Sequence, residues 1–269
     1  MSKIKIALVQ MHVEKDKYKN LETANTFIKK VAQEGCDLAI LPEMFTTPYK
    51  TDNFPIYAEF EGEDSFISIS NMAKENSIYL VGGSIPEKDE KNLVYNTSYV
   101  FDRNGNNIGK HRKVHLFDID VEGGQSFKES DTLTPGNNIT VFDTEFGKIG
   151  LCICFDFRFP ELARLMVQKG AKTIIVPAAF NMTTGPAHWD LNIKSQWAGP
   201  VVILKAAGTI IIFAPSCAIN LPSSGNLKSK QIQSPIFPNS VLNTVILSPG
   251  VNVSDSLNAC PPFTSISNK

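Results

Sequence analysis

The chain has 269 residues, of which 42% are apolar and 20% charged, a composition typical of a globular protein with a sizeable core. Its net charge of −1 gives no general attraction to nucleic acid or to an anionic membrane, so we expect neither as a partner. Five cysteines are odd in number and too few for a disulfide scaffold, and the first residues lack the pattern of a secretory signal. These features favour a reduced compartment, the cytoplasm or alternatively the mitochondrion.

Strand and helix patterns alternate from the amino terminus onward. Ile4–Gln10 predicts a strand, and apolar residues at helical spacing from Leu21 to Val31 predict a helix that ends at Gly35. The apolar run Leu38–Leu41 predicts a buried strand. Further strands are predicted at Tyr79–Gly83, Val94–Phe101 and Ile139–Asp143.

The segment from Lys148 to Ala178 repeats this alternation. Lys148–Cys154 predicts a strand, Pro160 begins a helix that Gly170 ends, and Thr173–Ala178 predicts the next strand. Buried strands joined by helices are typical of sheets that are covered by helices. We therefore predict an α/β fold.

The composition changes after Asp190. Of the 27 acidic residues only Asp255 lies beyond this point, together with eight of the 16 prolines and no arginine. The apolar run Val201–Phe213 is interrupted by Lys205 and is too short to span a membrane, so it predicts one strand or two. Val241–Leu247 predicts another strand. Because folded domains mix both charge signs along their length, the chain has two compositionally distinct parts.

Cys154 is the first candidate for chemistry. The strand that is predicted to end there and the helix that follows place its thiol at the carboxyl end of a sheet, where α/β proteins bind ligands. Backbone N–H groups and the helix N-terminus would favour the thiolate, while Cys152 faces the other side of the strand. The alternative interpretation is two small buried hydrophobic residues. A metal pair is disfavoured, because no second Cys or His cluster completes four ligands.

Glu43 is the second candidate, since it follows the apolar run Leu38–Leu41 and Pro42 directly. A carboxylate at the end of a central strand can be partly desolvated and can act as a base toward a thiol or water. A solvated acid in a loop is an equally good interpretation from the local sequence.

The third candidate is the basic segment from Lys110 to Asp118. Taken alone, such a cluster is typical of a solvated surface, and the spacing of His111 and His115 lacks the further ligands of a metal site. The apolar Phe117 indicates instead an ordered loop beside the core. A lysine held there could stabilise an oxyanion, and Glu129 could hold that lysine by an ion pair.

These segments, taken in order, resemble the nitrilase superfamily of carbon–nitrogen hydrolases. The matching residues are Pro42-Glu43, Lys113 within residues 111–117, and Cys154 within residues 152–162. Within the superfamily the chain most resembles omega-amidases, through residues 41–49, 113–120 and 180–189. The resemblance covers residues 3–191. It implies a hydrolase domain at residues 1–191 with a four-layer αββα sandwich, usually as a homodimer, and a divergent segment at residues 192–269.

The resemblance also implies roles for individual residues. Cys154 would be the nucleophile, Glu43 the general base, Lys113 the oxyanion-stabilising lysine and Glu129 the supporting acid. The Phe155 backbone N–H would join Lys113 in holding the oxyanion, although Phe155 stands where relatives usually have tyrosine. This chemistry uses a thioester intermediate and needs no metal or cofactor.

The substrate class follows from the same resemblance. Omega-amidases act on the terminal amides of 2-oxoglutaramate and 2-oxosuccinamate, small molecules with a carboxylate at the other end. Arg158 matches the position that would clamp this carboxylate, the alternative being a structural pair with Asp156 or Glu161. A second hypothesis keeps the site but assigns another carbon–nitrogen substrate, such as deaminated glutathione or an N-carbamoyl compound.

The resemblance ends at Leu191. A Gly199-Pro200 pair falls where relatives continue a helix, and the family pattern does not return. A different reading frame, an alternative exon end or an assembly error would explain this better than an evolved replacement. The third hypothesis is therefore an inactive or unstable product whose second sheet is incomplete.

Overall fold

The computed structural model describes residues 4–120 and 126–179 with their side chains, and the backbone of four strands beyond them. Four α-helices lie in the described part: α1 (Lys17–Gln33), α2 (Phe54–Tyr57), α3 (Asp64–Glu75) and α4 (Pro160–Gln168). The described strands of the first 100 residues are β1 (Ile4–Gln10), β2 (Leu38–Ile40), β3 (Tyr79–Val81), β4 (Ile85–Lys88) and β5 (Val94–Phe101). Then follow β6 (Asn107–Arg112), β7 (Asp118–Asp120), β8 (Ser126–Lys128), β9 (Thr140–Thr144), β10 (Gly147–Leu151) and β11 (Thr173–Pro177). The backbone strands are β12 (Val202–Ala206), β13 (Thr209–Phe213), β14 (Lys230–Gln233) and β15 (Val241–Leu247).

Two large sheets organise the described part of the chain. The first has the order β14-β15-β1-β2-β3-β5-β4, with β6 also paired to β5. Its centre is parallel, since β2 pairs with both β1 and β3 in that sense, and the outer pairs are antiparallel. The second sheet has the order β12-β13-β11-β10-β9, with β10 and β11 parallel.

Side-chain alternation along the strands builds four layers. On β1, Ala7 and Val9 pack with apolar residues of α1 and α3, whereas Ile6 and Leu8 pack against the second sheet. The second sheet meets them with residues such as Leu151. Its other face carries α4, which buries Leu162, Ala163 and Met166. The order is helix, sheet, sheet, helix, which is the predicted αββα sandwich.

The segment beyond residue 191 contributes strands to both sheets. The apolar run at Val201–Phe213 forms the antiparallel pair β12 and β13, and β13 pairs with β11. The predicted strand Val241–Leu247 is β15, which pairs with β1 in register from Ile4 opposite Leu247. The remaining expectations for residues 192–269 lie outside the described residues.

Several boundaries differ from the sequence-based ones. The strand predicted at Lys148–Cys154 ends at Leu151, so neither cysteine of that segment is in a strand. Strands β4 and β6 follow no clear apolar period and were not predicted. Helix α3 was not predicted either, although Phe66, Ile69, Met72 and Ala73 follow helical spacing. No helix among the described residues is long and apolar enough to cross a membrane.

Candidate active site

Three polar segments meet where strands of both sheets end. Glu43 follows β2, Lys113 follows β6 and Cys154 follows β10. The Nζ atom of Lys113 lies 3.0 Å from Oε1 of Glu43 and 2.9 Å from Oε2 of Glu129. All three of these charged side chains are completely buried. The structure thus brings together the residues that the sequence singled out from distant parts of the chain.

Glu43 sits in a tight turn that the neighbouring strand supports. The next residue, Met44, has a φ of 50°, and its N–H donates to Oγ of Ser84 at 3.0 Å. Gly83, with a φ of 58°, approaches Pro42 so closely that a Cβ atom there would lie 2.0 Å from the Pro42 carbonyl oxygen. The solvated-loop interpretation of Glu43 is therefore wrong, since this acid is packed inside the molecule.

Both oxygens of Glu43 accept further hydrogen bonds. The Nδ2 atom of Asn96 donates to Oε1 at 2.9 Å, and the backbone N–H of Ala179 donates to Oε2 at 2.8 Å. Asn96 was missed by the sequence reasoning. The feature that could have identified Asn96 is its position as a polar residue within β5, a strand that is buried along its whole length. These donors orient the carboxylate.

Glu129 is held from three directions. Besides Lys113, the phenol of Tyr49 donates to Oε1 at 2.5 Å and the backbone N–H of Phe117 donates to Oε2 at 2.7 Å. The Tyr49 hydroxyl also lies 3.3 Å from Oε1 of Glu43. Burial, with the charges of both glutamates, holds the pKa of Tyr49 well above its ordinary value. Tyr49 therefore stays a neutral phenol, whose single proton goes to the nearer Glu129 while its oxygen also lies beside Glu43. Its local sequence gave no signal for this role.

Lys113 is a permanent cation in this setting. Burial alone would lower its pKa, but the negative charges of Glu43 and Glu129 outweigh it and raise the pKa above the ordinary value. For Glu129, burial is the largest influence and raises the pKa, with Glu43 acting in the same direction and Lys113 against it. The expected ion pair between Lys113 and Glu129 is present. The solvated-surface interpretation does not hold for this lysine.

Cys154 begins a short 3₁₀ turn, Cys154–Arg158, with a φ of 45°. Non-glycine residues seldom adopt this left-handed conformation, which aims the side chain away from the preceding strand. Burial raises the pKa of the Cys154 thiol well above its ordinary value, and the charge and hydrogen bond of Glu43 add to this. The expectation of a resting thiolate is thus wrong, because desolvation and the adjacent carboxylate both disfavour a second negative charge.

Cys152 belongs to a different environment. It packs with Phe157 and with Leu162 and Met166 of α4, and it is only 2% exposed. The sequence reasoning separated the two cysteines by strand alternation, whereas the actual cause is the change of backbone direction at the turn. Only Cys154 is within electrostatic influence of Lys113.

Phe155 and Arg158 lie on the same turn as Cys154. The Arg158 guanidinium carbon is 4.9 Å from the centroid of the Phe155 ring. Burial lowers the pKa of Arg158 and the charge of Cys154 opposes this, so the guanidinium lies within electrostatic range of the thiol. Phe155 makes edge-to-face contacts with Phe117 at 5.2 Å and with Phe159 at 5.6 Å between ring centroids. The turn that carries Cys154 therefore also carries an aromatic cluster with the Arg158 guanidinium against it.

The histidines near the site do not form a metal centre with the acidic residues described. Across residues 4–120 and 126–179, no group of three or more His, Cys, Asp or Glu side chains is arranged to hold a metal ion. His111 and His115 contact Asp156 instead.

Known proteins resemble this chain over the region that carries the site. The family model for carbon-nitrogen hydrolase matches residues 5–196. Omega-amidase NIT2 of Mus musculus is 49% identical over 196 residues, which are 73% of this chain and 71% of that protein. Omega-amidase NIT3 of Saccharomyces cerevisiae is 50% identical over 202 residues, 72% of this chain and 69% of that one.

A solved structure extends the likeness to the fold. It is that of Saccharomyces cerevisiae Nit3, described as a member of branch 10 of the nitrilase superfamily. It aligns with a TM-score of 0.71 and 38% identity, over 97% of this chain and 96% of that one. With the family match covering most of the chain, this chain belongs to the carbon–nitrogen hydrolase family and is an amide hydrolase similar to the omega-amidases.

Proposed function

We propose that this chain hydrolyses the terminal amide of small 2-oxo acids, 2-oxoglutaramate and 2-oxosuccinamate, through a cysteine thioester. The observation that carries the proposal is the fully buried Lys113 ammonium between Glu43 and Glu129, beside the Cys154 thiol. This arrangement pairs a base with a nucleophile and adds a fixed positive charge. The similarity to omega-amidases supplies the substrate class.

The first half of the reaction forms the thioester. Glu43, whose charge raises the pKa of the neighbouring thiol, takes the proton as Sγ of Cys154 attacks the amide carbonyl carbon. Negative charge then develops on the carbonyl oxygen, where the Lys113 ammonium and the Phe155 backbone N–H stabilise it. One such donor is worth about 10²–10³ in rate. The proton on Glu43 passes to the amide nitrogen, the carbon–nitrogen bond breaks and ammonia leaves.

In the second half of the reaction water is the nucleophile and the Cys154 thiol is the leaving group. Water enters where ammonia left, Glu43 takes a proton from it, and the oxygen attacks the thioester carbonyl. The carbon–sulfur bond breaks, the thiol regains its proton from Glu43, and the 2-oxo dicarboxylic acid is released. The raised pKa of Cys154 is consistent with this cycle, because the thiol is restored at the end of each turnover.

Glu129 and Tyr49 support the cycle without taking a proton. Glu129 is the second carboxylate in contact with the Lys113 ammonium, and the Tyr49 hydroxyl oxygen lies within hydrogen-bonding distance of both acids. The lysine therefore cannot rotate toward one acid without losing the other. A charge fixed in this way needs no reorganisation when the oxyanion forms.

The nucleophile is tested by paired substitutions. Cys154→Ala should abolish ammonia release from 2-oxoglutaramate, whereas Cys152→Ala removes a thiol from the core beside α4 and should leave substantial activity. Mass spectrometry of the quenched reaction should find the acyl adduct on the peptide that contains Cys154. Equal losses in both variants, or an active Cys154→Ala protein, would contradict the assignment.

Arg158 is proposed to bind the substrate carboxylate. Arg158→Lys keeps the charge but loses the planar, bidentate guanidinium donor, so the loss of activity should depend on the substrate. Activity on 2-oxoglutaramate should fall much further than activity on a neutral amide of similar length. If both fall equally, Arg158 is structural. Faster ammonia release from deaminated glutathione, or cleavage of an N-carbamoyl compound, would reassign the substrate.

The proposal extends to assembly and location. We propose a homodimer acting in the cytoplasm or the mitochondrion, on small molecules and without a cofactor. Light scattering of the purified chain and fractionation of cells test these two points.

A further inference from the structure

Asp156 is a completely buried carboxylate that the reaction steps above do not use. It lies two residues after Cys154, inside the same turn. Its oxygen Oδ1 accepts from the backbone N–H groups of Val114 at 3.1 Å and His115 at 2.7 Å, and lies 2.9 Å from Nδ1 of His115. Oδ2 accepts from the backbone N–H of Ile153 at 3.0 Å and lies 3.1 Å from Nε2 of His111.

These partners come from two segments of the active site. Ile153 directly precedes the nucleophile, whereas His111, Val114 and His115 surround Lys113 on both sides in sequence. One carboxylate therefore connects the turn that carries Cys154 to the strand end that carries Lys113. The backbone of Asp156 also closes the turn, since its N–H donates to the Ile153 carbonyl at 3.0 Å.

His111 explains how this carboxylate tolerates burial. The His111 ring lies between Thr140 and Asp156, with Nδ1 3.0 Å from the Thr140 hydroxyl oxygen and Nε2 3.1 Å from Oδ2 of Asp156. Nε2 donates to Asp156, because a carboxylate only accepts. Although burial acts to raise the pKa of Asp156, its hydrogen bonds with His111 and His115 and the charge of His111 hold that pKa well below the ordinary value.

We propose that Asp156 is a positioning residue, which, together with the His111 ring that donates to it, fixes the distance between the Lys113 ammonium and the Cys154 thiol. Two features depend on it. The left-handed conformation of Cys154 is unfavourable in isolation and persists only where neighbouring contacts impose it. Lys113 has to meet the oxyanion that forms at the cysteine, and a displacement of 1 Å in such a site can cost about 10²-fold in rate.

The test compares two aspartates that each join separate segments. Asp156→Asn keeps the shape but loses the charge and one acceptor oxygen. Asp37→Asn is the matched control, because Asp37 accepts from Lys5 N–H at 2.7 Å and from Arg103 at 3.2 Å, at the opposite end of β2 from Glu43. Steady-state kinetics on 2-oxoglutaramate and thermal melting are measured for both. We expect kcat to fall about 10²-fold in Asp156→Asn with KM changed less than about threefold, and kcat to be unchanged in Asp37→Asn.

A second readout does not depend on the substrate assignment, on which the kinetic test rests. The rate at which iodoacetamide alkylates Cys154 reports whether the buried thiol still meets its base. It should fall at least tenfold in Asp156→Asn and stay at the wild-type rate in Asp37→Asn. A wild-type protein that is alkylated rapidly but does not hydrolyse 2-oxoglutaramate would contradict the proposed substrate and leave this comparison intact.

Several outcomes would overturn the proposal. They are an unchanged kcat in folded Asp156→Asn protein, a loss of kcat equal to that of Asp37→Asn, or alkylation at or above the wild-type rate. If Asp156→Asn does not fold, His111→Gln decides in its place, since it removes the ring that spans Thr140 and Asp156 and keeps a side-chain donor. That variant should show the same fall in kcat at nearly constant KM, and wild-type kinetics would overturn the proposal.

Discussion

Replacing Lys113 with methionine keeps a side chain of similar length but removes the positive charge between Glu43 and Glu129. Both acids are then buried beside each other without their cation, and neutral hydrogen-bond donors remain, such as Asn96 for Glu43 and Tyr49 for Glu129. Removal of one partner from a buried ion pair costs about 3–5 kcal/mol, because the remaining charge is uncompensated. Against a typical total stability of about 5–15 kcal/mol, this is a large fraction.

The loss should depend on pH in a definite direction. Lys113 opposes the raised pKa of Glu129, so this pKa rises further in the variant. A carboxyl whose pKa is higher in the folded state stabilises the fold at low pH, and this contribution is lost as the pH rises through the folded value. The deficit of Lys113→Met relative to wild type should therefore be largest near pH 8 and shrink toward pH 5.

Urea denaturation at several pH values measures this deficit, and Lys110→Met is the matched control. Lys110 is on the same strand end, but it is 30% exposed where it pairs with Glu61 and Glu87. Its loss should cost less than about 1 kcal/mol. In Lys113→Met, kcat should also fall by about 10²–10³ with the oxyanion donor. A deficit no larger than that of Lys110→Met, or one that grows as the pH falls, would refute the reasoning.

Three further predictions follow from the same contacts. Gly83→Ala should lower the free energy of unfolding, measured by urea denaturation, by more than about 2 kcal/mol and reduce activity, because the new Cβ would collide with Pro42. Gly35→Ala is the control, since Gly35 has a similar φ but open space around it, and it should lose only the free energy of backbone strain. Equal losses in the two variants would contradict this. Tyr49→Phe removes a hydrogen bond that lowers the pKa of Glu129, so the acidic limb of the rate profile should move to higher pH; an unmoved limb would count against this role of the hydrogen bond. Grafting a relative's segment after Trp189 should raise the melting temperature and activity, and a stable, active dimer of the unaltered chain would show that its own tail suffices.

The order of the candidate residues along the chain was enough to identify them, whereas the sequence did not predict that they are buried. Glu43 and Cys154 follow apolar strands, and this position alone marks them as residues at the end of a sheet. Lys113 sits in a basic segment that is typical of a surface, and only the three-dimensional approach of Glu43 and Glu129 explains a buried cation there. The local sequence around Lys113 does not predict that these two acids come close to it.

The secondary structure also divides into elements that local sequence predicts and elements that depend on distant residues. Strand β5 was predicted because six of its eight residues are β-branched or aromatic, while β6, with the sequence Asn-Ile-Gly-Lys-His-Arg, is a strand because β5 pairs with it. The end of β10 was misplaced by three residues because Cys152 and Ile153 continue the apolar pattern into the core. The turn at Cys154 is imposed by Asp156, whose role depends on residues more than 40 positions away.

The pairing of β1 with β15 has a consequence for how the chain folds. Strand β1 has β2 on one side, but its other neighbour is the strand that begins at Val241. This edge of β1 therefore stays unpaired until the chain has been synthesised past Val241, and β11 likewise stays unpaired on one side until β13 has been made. Pairings between such distant residues form slowly and leave strand edges exposed to other chains meanwhile. Synthesis in the presence of a chaperone should therefore raise the yield of native protein, and substitutions in the active site should change this yield less.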